Sequence, residues 1–163
     1  MGRVERLMPG SWPQRDLPYL NSGNCRITSP ATAAYNCIAW AAGTSKQWWD
    51  PHALYYWPPN VPREITIEAV VQVYEGLGYS ICIGGALEPG FEKIAMFARQ
   101  LPDRKVPTHA ARQLDSGEWT SKLGPCEDIS HTSVDAVNGP CYGEVIYFMS
   151  RPKPPAQVPS PNK

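Results

Sequence analysis

The sequence predicts a single α+β domain in which a cysteine-bearing helix packs on a small antiparallel sheet. Segment 66–76 repeats apolar residues at helical spacing, whereas several short runs beyond residue 80 are rich in β-prone residues and separated by turns. A chain of 163 residues is long enough to bury a substantial core without the help of a disulfide or a metal. One compact domain is therefore expected.

Composition divides the chain into three parts. Residues 1–30 are rich in Pro, Asn, Ser and Gly without a sustained period, so we expect an irregular segment that wraps the domain. Residues 31–151 hold the predicted α+β domain. Residues 152–163, PKPPAQVPSPNK, offer little that a core could bury, so a disordered tail is expected.

The first predicted helix carries the cysteine of the stretch NCIAWAAG. In one interpretation Asn36 is the N-cap and Gly43 ends a short helix. In the other, Ser29 caps a longer helix over 30–42. The two interpretations place Cys37 in the first turn or in the middle of the helix, and the sequence leaves both open.

The second predicted helix begins after Thr66 as N-cap and stops near Gly76 or Gly78. Between the two helices, residues 48–62 read WWDPHALYYWPPNVP. The prolines of this segment would interrupt the hydrogen bonds of a helix or of a sheet, so we expect an aromatic loop that forms a lid or a packed wall.

The remaining regular elements are predicted to be strands, because their runs of apolar and β-prone residues are bounded by turns. These runs are YSICIGG (79–85), EKIAMFAR (92–99), THAARQL (108–114), EWTSKLG (118–124) and GEVIYFMSR (143–151). Segment 91–101 also fits a helical period, and this alternative stays open.

Charge and composition narrow the classes of partner. Fifteen residues of each sign give a formal net charge of zero, which disfavours a nucleic-acid partner. The amino-terminal stretch has no apolar run of the length that a signal peptide or membrane anchor needs, so no membrane contact and a cytoplasmic location are expected, with a dedicated secretion route left open.

The cysteines predict free thiols. Their number, five, is odd, their spacing is irregular, and no CxxC pair occurs. The three histidines are far apart in sequence, so neither a metal nor another cofactor is expected. Cysteine chemistry that uses no metal is the remaining possibility.

Nucleophilic cysteine chemistry needs a thiolate, an imidazole that holds the proton and a polar group that orients the imidazole. If Asn36 caps the helix, Cys37 lies in the first turn, where backbone amides and the helix dipole stabilise a thiolate and an oxyanion. His109 lies at the start of a predicted strand, from which its ring can be aimed rigidly at the helix. Cys37 and His109 are the predicted catalytic pair.

This order resembles the papain-like superfamily and, within it, the NlpC-type peptidases and amidases. The stretch THAARQLDSGEWTSKLG has the outline of the family's histidine strand, turn and returning strand. The resemblance implies a third polar residue where Ser121 or Lys122 stands, and neither is typical. Asp128 or His131 of the following EDISH is therefore the predicted group that orients the imidazole.

A second resemblance covers residues 35–151. The motifs NCIAWA, YWP, EPGFEKIA, HAARQL, WTSKLG and DISH together resemble a family of uncharacterised, mainly bacterial domains. No activity comes with that resemblance. The chemistry must be argued from the residues themselves.

The predicted function is hydrolysis or transfer at an amide bond of a peptide or protein, as by a peptidase, an amidase or a deamidase. Predicted substrate-binding residues are Asn36, Trp40, Trp49 and Lys122. The alternative is an inactive binding module of the same fold whose aromatic loop holds a partner, for example an immunity or accessory protein. Under this alternative the cysteine is a buried structural thiol.

Overall fold

A computed structural model describes residues 12–154 of the protein. This part of the chain contains seven strands, two α-helices and one 3₁₀ helix. In chain order they are β1 (Cys25–Ser29), α1 (Cys37–Ala41), α2 (Ile67–Glu75), β2 (Ser80–Cys82), β3 (Phe91–Gln100), β4 (Lys105–Gln113), β5 (Trp119–Lys122), β6 (Asp128–His131), the 3₁₀ helix (Val134–Val137) and β7 (Glu144–Pro152).

All seven strands belong to one antiparallel sheet in the order β1-β6-β5-β4-β3-β7-β2. The long strand β3 lies between β4 and β7 and pairs with both over most of its length. Strands β1 and β2 form the two edges. Neighbouring strands along β3–β4–β5–β6 follow one another in the chain, so this half of the sheet is a meander.

The predicted fold class is wrong. The domain is mainly an antiparallel sheet with two short helices of five and nine residues, not an α+β papain-like fold built on a prominent cysteine helix. Helix α1 ends at once, because Ala42 caps it and Gly43 follows with φ of 92°. The sheet dominates because strands also form in residues 25–29 and 128–131, for which the sequence pattern predicts no strand.

Both helix starts agree with the local signals. Asn36 is the N-cap of α1, and its side chain accepts a hydrogen bond from the amide of Ala39. Thr66 caps α2 in the same way through Ala69. The short-helix interpretation is therefore confirmed, and Cys37 is the first residue of α1.

Two segments differ from expectation. Residues 25–29, expected to be irregular, form the edge strand β1, which pairs with β6. Segment 91–101 is a strand, so its helical alternative is wrong. The expected tail is described only to residue 154, where β7 has just ended at Pro152; the rest of the tail and residues 1–11 lie outside the described residues.

The sheet carries a different core on each face. Helices α1 and α2 pack on one face around a cluster that includes Ala110 of β4, and Trp49 and Trp57 of the aromatic loop belong to it. The opposite face is covered by Trp12, Leu17 and the 3₁₀ helix. The aromatic loop is thus a packed wall. Within residues 12–154, no helix has the length and apolar character needed to cross a membrane.

Candidate functional site

One cavity of about 220 Å³ contains both members of the predicted catalytic pair. Cys37 and His109 line it together, although they are 72 positions apart in the chain. Most other lining groups are apolar side chains or backbone, and the polar ones include Asp50. The cavity has room for a group about the size of one amino-acid side chain.

The cavity opens where two strands separate. Strands β4 and β5 are joined by only two residue pairs, Arg112 with Thr120 and Gln113 with Trp119. The first part of β4 pairs with β3 but not with β5, and Gly124, just after β5, lines the cavity there. Groups from the two faces of the sheet therefore reach the same cavity.

Cys37 occupies a buried position at the amino-terminal end of α1. Burial raises the pKa of its thiol to about 11, while the backbone amides of Ala110, Ile38 and Cys37 itself, together with the charge of Lys122, pull the pKa down. Burial is the larger influence, so the thiol is protonated at neutral pH. The amides that face the sulfur are suitably placed to stabilise negative charge on it or beside it.

Asn36 connects the start of the helix to the aromatic loop. Its Oδ1 accepts from the amides of Ala39 and Trp49, and its Nδ2 donates to the carbonyl of Trp49 over 2.7 Å. Asn36 also lines the cavity. The Asn36 side chain, predicted to bind substrate, is thus engaged chiefly in fixing the position of Cys37.

His109 is held on the opposite wall of the cavity. Its Nε2 lies 3.0 Å from Oγ of Ser121, and its ring stacks on Tyr142 with centroids 4.0 Å apart and planes at 12°. Its buried Nδ1 has no hydrogen-bond partner among the described residues. Burial, with a smaller contribution from His131, lowers the pKa of His109 to about 3, so the imidazole is neutral at neutral pH.

A chain of hydrogen bonds extends from His109 across two further strands. Oγ of Ser121 lies 2.8 Å from Nε2 of His131, and Nδ1 of His131 lies 2.8 Å from the carbonyl oxygen of Ser133. All three side chains are at most 3% exposed. We call His109, Ser121 and His131 the histidine chain. His131, one of the two predicted orienting residues, therefore reaches His109 only through Ser121.

The thiol and the imidazole share the cavity without a direct bond. No hydrogen bond joins Sγ of Cys37 to the ring of His109 within the described part of the chain. Because both groups are neutral at neutral pH, the pair is not a preformed thiolate–imidazolium ion pair. Chemistry at this site would require His109 to take the thiol proton as the sulfur attacks.

Asp128, the other predicted orienting residue, lies elsewhere. Its carboxylate accepts from the Tyr35 hydroxyl over 2.6 Å and from Thr28 Oγ1 over 3.0 Å, on the helix-bearing face of the sheet. His109 lies on the opposite face, beside Phe97. Asp128 and His109 therefore lie on opposite faces of the sheet, and no hydrogen bond joins them among the described residues.

Lys122 is not arranged to bind a substrate. Its Nζ donates to the carbonyls of Thr32, Gly124 and Cys126, and its side chain is fully buried. Three donated bonds use the whole donor capacity of the ammonium group. The predicted substrate contact of Lys122 is replaced by a structural role in holding two loops.

The two predicted tryptophans also lie outside the cavity. Trp40 donates from Nε1 to Thr120 Oγ1 and packs under the guanidinium of Arg112. Trp49 is buried in the core beside the ring of Tyr56. Neither lines the cavity of Cys37; Trp48, one residue away, does.

Sequence reasoning missed Tyr142, whose ring covers His109. Its carbonyl accepts from Thr108 Oγ1 over 2.5 Å, and a glycine follows it. Gly143 has φ of 72°, and a Cβ there would collide with the carbonyl of Ala98. The sequence does show a glycine directly after Tyr142, which is typical of a turn before a strand. That pattern does not indicate which residue the tyrosine ring contacts.

The described residues contain no cluster of three or more His, Cys, Asp or Glu side chains suited to a metal ion. All five cysteines are free thiols, and Cys37 is the one classed as buried.

Fold and site together define an antiparallel-sheet domain with a buried Cys–His cavity. Residues 26–150 match the family described as a domain of unknown function, DUF7689, so the chain belongs to that family. The expectation of an uncharacterised domain family is confirmed. The match carries no indication of a relationship to NlpC-type enzymes or of a mainly bacterial distribution. No curated protein and no solved structure matches the chain.

Proposed function

We propose that the protein is a cysteine-dependent hydrolase that acts on an amide bond of a peptide or protein. The observation that carries the proposal is the shared cavity, in which a helix-start thiol faces backbone amides and an imidazole presents an unpartnered nitrogen. The proposal rests on this site and on no kinship with NlpC-type enzymes.

The orientation of His109 supports its role as the base. Nε2 is occupied by Ser121 and the ring is clamped by Tyr142, so Nδ1 is the nitrogen left for a proton. Burial keeps the imidazole neutral at neutral pH, so that Nδ1 has a lone pair to accept with, although the lowered pKa makes it a weak base. The same low pKa means that the acquired proton is readily returned to a leaving group.

The reaction proceeds in two stages. Sγ of Cys37 bonds to the substrate carbonyl carbon while the thiol proton moves to Nδ1 of His109. The amide of Cys37 donates to the carbonyl oxygen as it becomes an oxyanion. The C–N bond then breaks, and the amine leaves with the proton from His109. Water, deprotonated by His109, hydrolyses the thioester and restores the thiol.

Mass spectrometry of reactions with a mixed peptide library tests the proposal. We expect cleaved or deamidated products from the wild type, together with a thioester adduct that maps to Cys37 and is removed by hydroxylamine. Cys37→Ala should abolish the products, because among the described cysteines Cys37 is the one whose thiol lines the cavity of His109, whereas Cys25 lines the separate cavity of His131.

Cys82→Ala is the matched control, since Cys82 is a half-buried free thiol whose Sγ donates to the nearby carbonyl of Gly84. It should form products at the wild-type rate. Products that persist in Cys37→Ala, or a wild type that forms none while its aromatic loop captures a partner, would favour the binding module over the enzyme.

A further inference from the structure

The hydrogen-bond chain behind His109 has a fixed direction. A carbonyl oxygen only accepts, so Nδ1 of His131 carries the proton that is donated to Ser133. Nε2 of a neutral His131 is then an acceptor, and the Ser121 hydroxyl donates to it. Because the hydroxyl has spent its one proton on His131, Ser121 accepts from Nε2–H of His109.

The direction of these hydrogen bonds determines whether Nδ1 of His109, which has no partner among the described residues, carries a proton. With its proton on Nε2, neutral His109 has a lone pair on Nδ1. His131, which lies two strands away, therefore determines through the Ser121 hydroxyl group that Nδ1 of His109 has a free lone pair. Reversing the chain would put the proton on Nδ1 and remove the base.

The far end of the chain has its own opening. His131 lines a second cavity of about 200 Å³ with Arg26, Glu118 and residues 22–25. Two carboxylates near His131, those of Glu118 and Asp135, favour its protonated form. Arg26 and Cys25 lie on the wall of the second cavity. His109 reaches His131 through Ser121. The ring of His109 contacts the uncharged rings of Phe97 and Tyr142, and the titratable groups that line its cavity with it are Cys37, Asp50 and Tyr142.

We propose that His131 is a positioning residue that also receives the proton of Cys37: as Nδ1 of His109 takes the thiol proton, Nε2–H of His109 passes to Ser121 and the Ser121 hydroxyl proton passes to His131. The sum of these transfers is a thiolate, a neutral His109 protonated at Nδ1, a neutral Ser121 and an imidazolium at His131. The inference deepens the proposed function and rests on it.

The location of the charge favours this route. An imidazolium at His109 would lie between two aromatic rings in a fully buried position. An imidazolium at His131 keeps the bond to the Ser133 carbonyl and is attracted by Glu118 and Asp135. The second cavity also gives a path by which the proton can exchange with solvent.

Two measurements on the full-length protein test the relay. Long-range ¹H–¹⁵N NMR with ¹⁵N-histidine resolves the tautomers of the three histidines, with the exposed His52 as an internal reference. Alkylation of Cys37 by iodoacetamide, located by peptide mapping, reports the proton transfer, with the exposed Cys141 as an internal control.

The informative variant is His131→Gln, because glutamine can accept from Ser121 and donate to Ser133 but cannot take up a proton. Near neutral pH we expect Nε2–H at His109 and Nδ1–H at His131 in the wild type. In His131→Gln, His109 should keep its tautomer while alkylation of Cys37 slows at least about tenfold, the loss typical of removing an acid–base group. His131→Leu should lose both the tautomer and the rate.

Nδ1–H at His109 in the wild type overturns the relay, and so does wild-type alkylation in His131→Gln. The parallel variant His109→Gln separates the two proposals. If His109→Gln slows alkylation and His131→Gln does not, the relay alone fails. If neither variant slows it, the thiol has no base, and the proposed function and the relay fail together, while the NMR spectrum still reports whether the chain of hydrogen bonds exists.

Discussion

Strands β5 and β6 carry two buried polar clusters, one on each face of the sheet. On the helix-bearing face, Lys122 donates three hydrogen bonds and each carboxylate oxygen of Asp128 accepts one, and we call these two residues the lysine cluster. On the other face runs the histidine chain of His109, Ser121 and His131. The clusters have similar burial, and they differ in that only the histidine chain ends in a free nitrogen.

This difference separates a structural from a chemical role. Buried polar groups normally find partners, because an unpaired one loses its hydration without compensation. The lysine cluster follows that rule. Nδ1 of His109 does not, and His109 lines the same cavity as Cys37. We therefore expect changes in the lysine cluster to affect stability and changes in the histidine chain to affect the reactivity of Cys37.

The largest loss of stability is expected for Lys122→Met. The substitution leaves the carbonyls of Thr32, Gly124 and Cys126 without their donor and removes the cation near Asp128. Removing one member of a buried charged cluster costs about 3–5 kcal/mol. Urea denaturation of Lys122→Met and of the exposed control Arg104→Met measures the difference, and a loss under about 1 kcal/mol would show that the cluster is not needed.

Acid should destabilise the protein through the histidine chain. Burial lowers the pKa of His109 to about 3 and also lowers that of His131, whereas the unfolded chain binds a proton at each near pH 6.5. Between these values the unfolded state binds more protons, so stability falls as pH falls, by up to about 1.4 kcal/mol per pH unit for each histidine.

Denaturation curves at several pH values check this slope in the wild type and in two variants. His109→Gln should flatten the dependence on pH, while His52→Gln, at an exposed position, should leave it unchanged. An equal slope in the wild type and His109→Gln would mean that His109 binds its proton equally well in the folded and the unfolded protein, so that burial does not lower its pKa.

Ser121→Ala should have a smaller effect on stability and a clear effect on reactivity. The change removes the bridge between the two imidazoles and leaves Nε2 of both His109 and His131 without this partner; a buried polar group left unpaired costs about 1–3 kcal/mol. Because His109 is then free to carry its proton on either nitrogen, alkylation of Cys37 should slow. Ser116→Ala, in an exposed turn, is the matched control, and equal alkylation rates in the two variants would contradict the role given to Ser121.

The smallest effect is expected for Tyr35→Phe. The variant loses one hydrogen bond to Asp128, whose carboxylate keeps that of Thr28, so a loss of about 1 kcal/mol is expected. The same contact helps raise the pKa of Tyr35 to about 12, after burial. The rate of alkylation of Cys37 should be the same in Tyr35→Phe as in the wild type. A slower rate would show that the lysine cluster influences the reactivity of Cys37.

Local signals in the sequence sufficed for both helices, because a cap side chain bonds within its own turn, as at Asn36 and Thr66. The strands β1 (CRITS) and β6 (DISH) could not be predicted from local signals in the sequence. All four residues of β6 are buried, including three polar ones, and their partners come from other strands. Strands of this kind made the sheet larger than the sequence predicts, and the α+β assignment failed for that reason.

The site was predictable to the extent that one thiol opens a helix and one histidine lies on a strand. Its orienting residues were not, because side chains alternate between the faces of a strand. Asp128 and His131 are three positions apart, so they point to opposite faces, as do the neighbours Ser121 and Lys122. Only knowledge of which face carries His109 selects Ser121 and His131.

The most direct test of the account is the rate of alkylation of Cys37 by iodoacetamide between about pH 6.5 and pH 9.5, in the wild type and in His109→Gln. If the free nitrogen of His109 takes the proton, the wild-type rate should be nearly independent of pH, and His109→Gln should be much slower near neutral pH. A wild-type rate that climbs about tenfold per pH unit, as expected for an unassisted thiol of pKa about 11, and that His109→Gln leaves unchanged would contradict the account.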